Sequence, residues 1–224
     1  MRFTDRRDAG IKLAELLVKK GYHDPVVLAL PRGGVPVAAE LARALGAPLD
    51  LLFVRKIGAP DNEEFALGAI AEGEPPELVL DRASRDVLSV PQRYLDETIT
   101  AGLREIARRR STYLGQKPPV PVAGRTAILV DDGIATGATM LAALRATRRR
   151  QPARLVLAVP VAASDTLRRL ASEADDMICV QASDMLGSVG EFYYDFSQLR
   201  DEDVISILTQ ANAQPGASHH NKTP

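Results

Sequence analysis

Four apolar residues, Ala127, Ile128, Leu129 and Val130, run directly into two adjacent carboxylates, Asp131 and Asp132. A stretch of small residues follows, Gly133-Ile134-Ala135-Thr136-Gly137-Ala138-Thr139, and a helical segment opens at Met140. A short apolar run with no polar alternation is the pattern of a strand buried on both faces, which belongs in a parallel sheet covered by helices. Such a strand delivers its last side chains to the carboxyl edge of the sheet, where ligands of open α/β sheets bind. Side chains alternate along an extended backbone, so Asp131 and Asp132 point different ways, one toward a ligand and the other toward the loop or a metal. The small residues from Ala135 to Thr139 let backbone N–H groups approach a phosphate, and the helix start and two threonine hydroxyls add to that. The loop is not a GxxxxGK[ST] loop, and no G-x-G-x-x-G occurs in it. Carboxylates ahead of a phosphate loop suit hydroxyls beside a phosphate, as in a sugar phosphate.

The rest of the chain alternates short apolar runs with segments of helical period, the sign of a parallel sheet with crossover helices. Residues 5–20 read as a helix whose buried side carries Ile11, Leu13, Ala14, Leu16, Leu17 and Val18. Strand 26–30 leads into Pro31-Arg32-Gly33-Gly34 and a helix over 35–45, stopped by Gly46 and Pro48. A second strand spans 49–55. Residues 57–73, rich in Gly, Ala and acidic residues with a turn at Pro60-Asp61-Asn62, read as a mobile loop or hairpin outside the core. A long helix over 91–114 carries Leu95, Ile99, Leu103, Ile106 and Tyr113 on one stripe, with Arg104, Arg108, Arg109 and Arg110 elsewhere on it. Further strands fall at 127–130, 155–159 and 177–180, and further helices at 140–149, 165–171 and 201–212. The last begins with Asp201-Glu202-Asp203, where negative charge is favourable. The reading is one α/β domain over 1–213, with about five parallel strands, a helical insertion at 82–117 and a small C-terminal hood near 181–200. The polar tail 214–224 reads as disordered.

Scarce residue types narrow the chemistry. Cys179 is the only cysteine, and the histidines are His23, His219 and His220, so an internal disulfide, a multi-cysteine zinc site and a histidine-dependent triad are excluded. No apolar run approaches the ~20 residues of a membrane span, and no apolar stretch follows the N-terminal charges. These features predict a soluble, cytoplasmic chain. The net charge of −1 hides an uneven distribution, since residues 82–154 hold 14 basic and 6 acidic side chains. Cys179, inside an apolar run, reads as a core residue.

Residues 127–139 resemble the signature of the type I phosphoribosyltransferase family, a hydrophobic strand, an acidic pair and a Thr-Gly phosphate loop. Gly133 departs slightly, since an aliphatic residue is more usual there. The resemblance implies that Asp131 and Asp132 hold the ribose hydroxyls of phosphoribosyl pyrophosphate. It implies that Ala135, Thr136, Gly137, Ala138 and Thr139 hold the 5′-phosphate. Leu30-Pro31-Arg32-Gly33-Gly34 looks like the family's pyrophosphate loop, in which a non-proline cis peptide near Arg32 is expected. Glycines allow close backbone approach there, and arginine supplies charge-assisted donors. Arg55 and Lys56 stand where the family places basic residues facing the pyrophosphate. Residues 57–72 stand where it has a loop that covers the site during reaction. The likeness spans about residues 24–200 and is nearest to a bacterial group of unassigned acceptor.

The implied reaction is Mg²⁺-dependent transfer of ribose 5-phosphate to a nitrogen acceptor, nucleobase-like, with release of pyrophosphate. Arg32, Arg55 and Lys56 would neutralise the leaving group, and Asp131 and Asp132 would meet the metal through the ligand or water. A binding regulator that keeps the sugar site without turnover is the alternative. Members acting on 6-oxopurines usually carry Asp where Ala135 stands, which argues against that mode. The stretch 186–195 loosely resembles the base-recognition hood, with Leu186, Val189, Phe192 and Tyr193 as acceptor contacts. Phe192, Tyr193, Tyr194 and Phe196 hold four of the ten aromatic rings. Stacking on a base and packing against the closing helix both suit them. The Arg-rich insertion has three readings: a solvated helix covering a sheet edge or homodimer interface, a lid on the acceptor pocket, or a nucleic-acid contact. The last is the weakest, because no aromatics interleave with its arginines.

Overall fold

Side-chain alternation along the apolar strands is visible in how the central sheet is covered. The computed structural model describes residues 1–60, 62–80 and 89–213, with only the backbone at 62–66. Five strands, β1 (Pro25–Ala29), β2 (Leu49–Leu51), β6 (Thr126–Val130), β7 (Arg154–Ala163) and β8 (Asp176–Ser183), form an all-parallel sheet in the order β2-β1-β6-β7-β8. Val27, Ala29, Ile128, Val130, Val156 and Ala158 enter one apolar layer, and Val26, Leu28, Ala127, Leu129, Leu155 and Leu157 the other. The first layer is closed by α1 (Arg6–Val18), α2 (Gly34–Leu45) and α6 (Asp201–Ala213). The second is closed by α4 (Ala138–Arg149) and α5 (Ser164–Leu170). This is the expected α/β architecture with a parallel sheet flanked by helices.

The segment read as a mobile loop or hairpin forms a second sheet. β3 (Val54–Ala59), β4 (Asn62–Ala71) and β5 (Glu77–Leu80) pair antiparallel in that order. Each face buries apolar residues. Ala69, Ala71 and Val79 pack on Ala142 and Ala146 of α4, while Ile57, Leu67 and Ile70 join the layer that holds Leu95 and Ile106 of α3 (Gln92–Leu114). The hairpin reading of 57–73 holds, but its exclusion from the core does not, because small residues pack here as closely as large ones. The expected strand 49–55 is also divided. Leu52 N–H still donates to Ala29 C=O, and Val54 begins the antiparallel pairing with Ala71.

Three further corrections concern single faces. Of the six residues expected on the buried side of α1, Leu13, Ala14 and Leu17 are buried, whereas Ile11, Leu16 and Val18 are 43%, 37% and 51% exposed. On α3, Leu95, Ile106 and Tyr113 are buried, and Ile99 and Leu103 are half-buried. Cys179 is half-buried beside the second layer, and burial pushes its thiol up to about 11. Asp61, residues 82–88 of the insertion and the tail 214–224 lie outside the described residues. Among the described residues, no helix is long and apolar enough to cross a membrane.

Candidate active site

β1 and β6 are neighbours in register, Ala29 opposite Val130, so the loops that leave them meet at one sheet edge. The contact is tight. A Cβ on Gly33 would lie 2.0 Å from Asp132 Oδ2, and one on Gly34 would lie 2.7 Å from the Val130 carbonyl. Glycine is therefore required at 33 by close approach to the acidic pair, an inference about this loop that spacing in the sequence does not make. The Pro31–Arg32 peptide is cis, as the resemblance led us to expect.

The acidic pair is asymmetric. Asp131 Oδ1 accepts the Asp132 N–H at 2.9 Å, and Asp132 Oδ2 accepts from Arg6 Nε at 2.8 Å. Burial, with Asp132 beside it, pushes the Asp131 carboxyl well above the usual carboxylate range. Burial raises Asp132 as well, opposed by the Arg6 guanidinium. Arg6 also donates to the Ser197 carbonyl at 2.9 Å and lies 3.8 Å over the Phe196 ring. Nothing in the sequence marked Arg6, which stands 126 positions from its partner.

The loop after the pair is braced from below. Thr166 Oγ1 donates to the Ala135 carbonyl at 2.7 Å, and Arg169 Nη2 donates to the Thr136 carbonyl at 3.0 Å. Gly137 caps α4 at φ +81°, a left-handed conformation, and a Cβ there would meet Thr166 Cγ2 at 2.5 Å. With the carbonyls turned toward α5, the first N–H groups of α4 have no intrahelical acceptor, the usual state of a helix start. Ala135 and Thr136 are exposed, and Gly137, Ala138 and Thr139 half-buried.

On the other side of the edge, Arg32 Nη1 lies 3.6 Å from Asp201 Oδ1 at the start of α6. Arg55 and Lys56 are exposed neighbours on β3, and Arg55 lines a small cavity with Pro31. The hood residues gather in one apolar cluster, where Leu186, Val189, Phe192 and Phe196 pack on Phe3, Val161 and Tyr193. Tyr193 is only 4% exposed, its ring lies between Phe3 and Phe196, and its hydroxyl donates to the Asp132 carbonyl at 2.5 Å. That ring supports the acidic strand end and is not open to stack on a base. Phe3 and Thr4 are tied to the hood through Phe3 N–H to Phe192 C=O, Tyr194 N–H to Phe3 C=O and Asp195 N–H to Thr4 C=O. Gly133 also has a local cause, because a Cβ there would meet Val189 Cγ1 at 2.5 Å and Val161 Cγ1 at 2.8 Å.

Two carboxylates at a sheet edge, with one close cation on Asp132, offer hard oxygen donors. That donor set fits Mg²⁺, which keeps most of its waters and binds through one or two carboxylates plus ligand oxygens. Among the described residues, no group of three or more His, Cys, Asp or Glu could hold a metal by protein ligands alone.

The fold and this edge define an α/β domain with a glycine loop, an acidic pair and a helix-opening loop gathered at one end of a parallel sheet. A family model described as the phosphoribosyl transferase domain matches residues 4–197, and the chain belongs to that family. It is 40% identical over 218 residues to a Mycobacterium tuberculosis protein named provisionally as a phosphoribosyl transferase. That match covers 96% of this chain and 49% of the relative, so the chain spans about half the length of the curated relatives it matches. The solved structure of the protein TT1426 from Thermus thermophilus is 45% identical, with a TM-score of 0.79 over 94% of this chain and 99% of that one.

Proposed function

We propose that this chain is a phosphoribosyltransferase that moves ribose 5-phosphate from phosphoribosyl pyrophosphate to a nitrogen acceptor and releases pyrophosphate. The observation that carries the reading is the contact of Gly33 with Asp132, which brings the candidate pyrophosphate loop against the candidate ribose pair. In this reading Asp131 and Asp132 accept from the ribose hydroxyls, and the N–H groups from Ala135 to Thr139 hold the 5′-phosphate. Arg32, Gly33, Gly34, Arg55 and Lys56 face the pyrophosphate. The bond from the anomeric carbon to the pyrophosphate oxygen breaks with its electrons going to pyrophosphate, while the acceptor nitrogen forms the new bond. The arginines match that developing negative charge, the kind of stabilisation that dominates such reactions. Mg²⁺, held by Asp131 and Asp132 through the ligand or water, supplies further positive charge when bound. Leu186, Val189 and Phe192 remain the candidate acceptor contacts, while Tyr193 positions the acidic strand end.

The experiment is a screen for pyrophosphate release from phosphoribosyl pyrophosphate across purines, pyrimidines and small amides, run beside calorimetric binding. Release with one acceptor class supports the transferase. Binding without release for every acceptor would leave a regulator that senses the activated sugar. Gly33→Ala should lower affinity for phosphoribosyl pyrophosphate by at least about tenfold, because its methyl group displaces Asp132 from the position Arg6 holds and costs about one charged hydrogen bond. Undiminished affinity in that variant would separate the glycine loop from the ligand site.

A further inference from the structure

The arginines of α3 have no part in the proposed reaction, although the helix is fixed against β3 and the start of α6. Tyr94 hydroxyl donates to the Gly58 carbonyl at 3.1 Å, and the Tyr113 ring stacks on Phe53 at 6.0 Å between centroids. Tyr113 hydroxyl donates to Asp201 Oδ1 at 2.7 Å, the carboxylate that Arg32 faces. Burial and that carboxylate push the phenol up to about 12, and the charges of Arg109 and Arg32 act against the rise.

Arg109 therefore sits on a face whose orientation is set by other residues. Its side chain is 37% exposed and lines, with Pro31, Val54 and Arg55, a cavity of about 20 Å³, roughly the room for one water. Its Nε donates to Glu105 Oε1 at 2.7 Å, and Arg108 donates to both oxygens of the same carboxylate at 2.8 and 2.9 Å. Hydrogen bonds from Arg108 and Arg109 hold that carboxyl at about 2. At the Pro31 end of the 31–34 loop, Arg55 and Arg109 line the cavity with Glu105 and Arg32 faces Asp201, while Asp131 and Asp132 lie against Gly33 and Gly34 at its other end. An arginine fork matches phosphate oxygens in two-point geometry, and the three guanidiniums at the Pro31 end suit a multiply charged anion.

We propose that Arg109, carried by the helical insertion, contacts the pyrophosphate of bound phosphoribosyl pyrophosphate, and that Glu105 holds its guanidinium against the 31–34 loop until the ligand arrives. The proposal rests on the reading of the site given above. It assigns the insertion a part in ligand binding, and it separates the pyrophosphate end of the ligand from the ribose 5-phosphate end.

The test is calorimetric titration of wild-type protein and variants with phosphoribosyl pyrophosphate, inorganic pyrophosphate and ribose 5-phosphate. Arg109→Ala should weaken the first two by about tenfold or more, the effect of losing a charged hydrogen bond, and leave ribose 5-phosphate binding unchanged. Arg109→Lys should recover part of the loss. Arg104→Ala, an exposed charge elsewhere on α3, should change none of the three by more than about twofold. Glu105→Gln should leave pyrophosphate binding intact or tighter. Equal affinity of Arg109→Ala and wild type for pyrophosphate overturns the assignment of Arg109, as does an equal loss for all three ligands. Wild-type protein that binds none of the three overturns the reading of the site itself, and the proposal with it.

Discussion

Asp131→Asn combined with Asp132→Asn is expected to reduce affinity for phosphoribosyl pyrophosphate by at least about 100-fold. A hydrogen bond to a charged acceptor contributes ~1.5–3 kcal/mol, and the double variant removes two such acceptors together with the charge that would hold Mg²⁺. Isothermal calorimetry reads the loss, and unchanged affinity would refute the site. The single variants separate binding from stability. Asp131 has its carboxyl raised by burial and by Asp132, so the folded state binds that proton more tightly than the unfolded state. Its contribution to stability is then best at low pH and is lost as pH rises from the unfolded value of ~3.9 toward the raised folded value. Wherever the carboxyl is deprotonated, burial of the charged side chain opposes folding. Asp131→Asn should therefore raise Tm while it lowers affinity, since the amide oxygen can still accept the Asp132 N–H. Asp132→Asn should lower Tm although burial raises that carboxyl too, because it leaves the Arg6 guanidinium, only 11% exposed, without its carboxylate. A fall of Tm in Asp131→Asn would sink this electrostatic account.

How far the site was legible follows from where each part lies along the chain. The strand ends and their loops are local, so the acidic pair, the helix-opening loop and the glycine loop were all readable as segments. Their meeting was not, because it depends on β1 lying beside β6, a choice made by the whole sheet. Arg6 illustrates the same limit, as the first residue of an ordinary surface helix whose partner is remote. The second sheet was missed for a different reason. Its interior is built from Ala69, Ala71 and Ile70 between two helices, and alanine- and glycine-rich sequence carries too little hydrophobic contrast to signal burial. The face of α1 was misjudged because its apolar residues exceed what one contact stripe can cover, leaving Ile11, Leu16 and Val18 outside.

The hood shows how one small residue can be explained only in three dimensions. Gly133 looked like a minor departure from a pattern, yet Val189 and Val161 close over it within van der Waals distance of where a Cβ would stand. The short 3-10 helix Val189–Phe192 is thereby seated directly above the acidic strand end. Phe3 and Thr4 hold it from the far side. The hood and the acidic strand end are thus joined through Tyr193 and Arg6, both of which bond to Asp132.

Arg110→Met should have the largest effect on stability, lowering it by about 3 kcal/mol, or roughly 6–12 °C in Tm for a domain of this size. Arg110 Nη1 donates to both Glu72 oxygens at 3.0 and 2.9 Å, and Glu72 Oε1 also accepts the Phe53 N–H. The two side chains are 22% and 17% exposed, where removing one partner strands a charge in a poorly solvated place. Burial already raises the Glu72 carboxyl despite the arginine, so without Arg110 it rises further. The sign of the pH effect follows. A raised folded value means the penalty is relieved as pH falls and Glu72 takes up its proton, so the variant should approach wild-type stability toward pH 4. Arg110→Met with Glu72→Leu removes both charges and should recover most of the loss, as apolar replacements of buried pairs generally do. Thermal melts at pH 4 and pH 7 check both statements. A loss that is independent of pH, or a double variant no better than the single one, would mean that the pair does not anchor α3 to β4. Because the same helix carries Arg109 to the 31–34 loop, loosening it should also weaken pyrophosphate binding while ribose 5-phosphate binding persists.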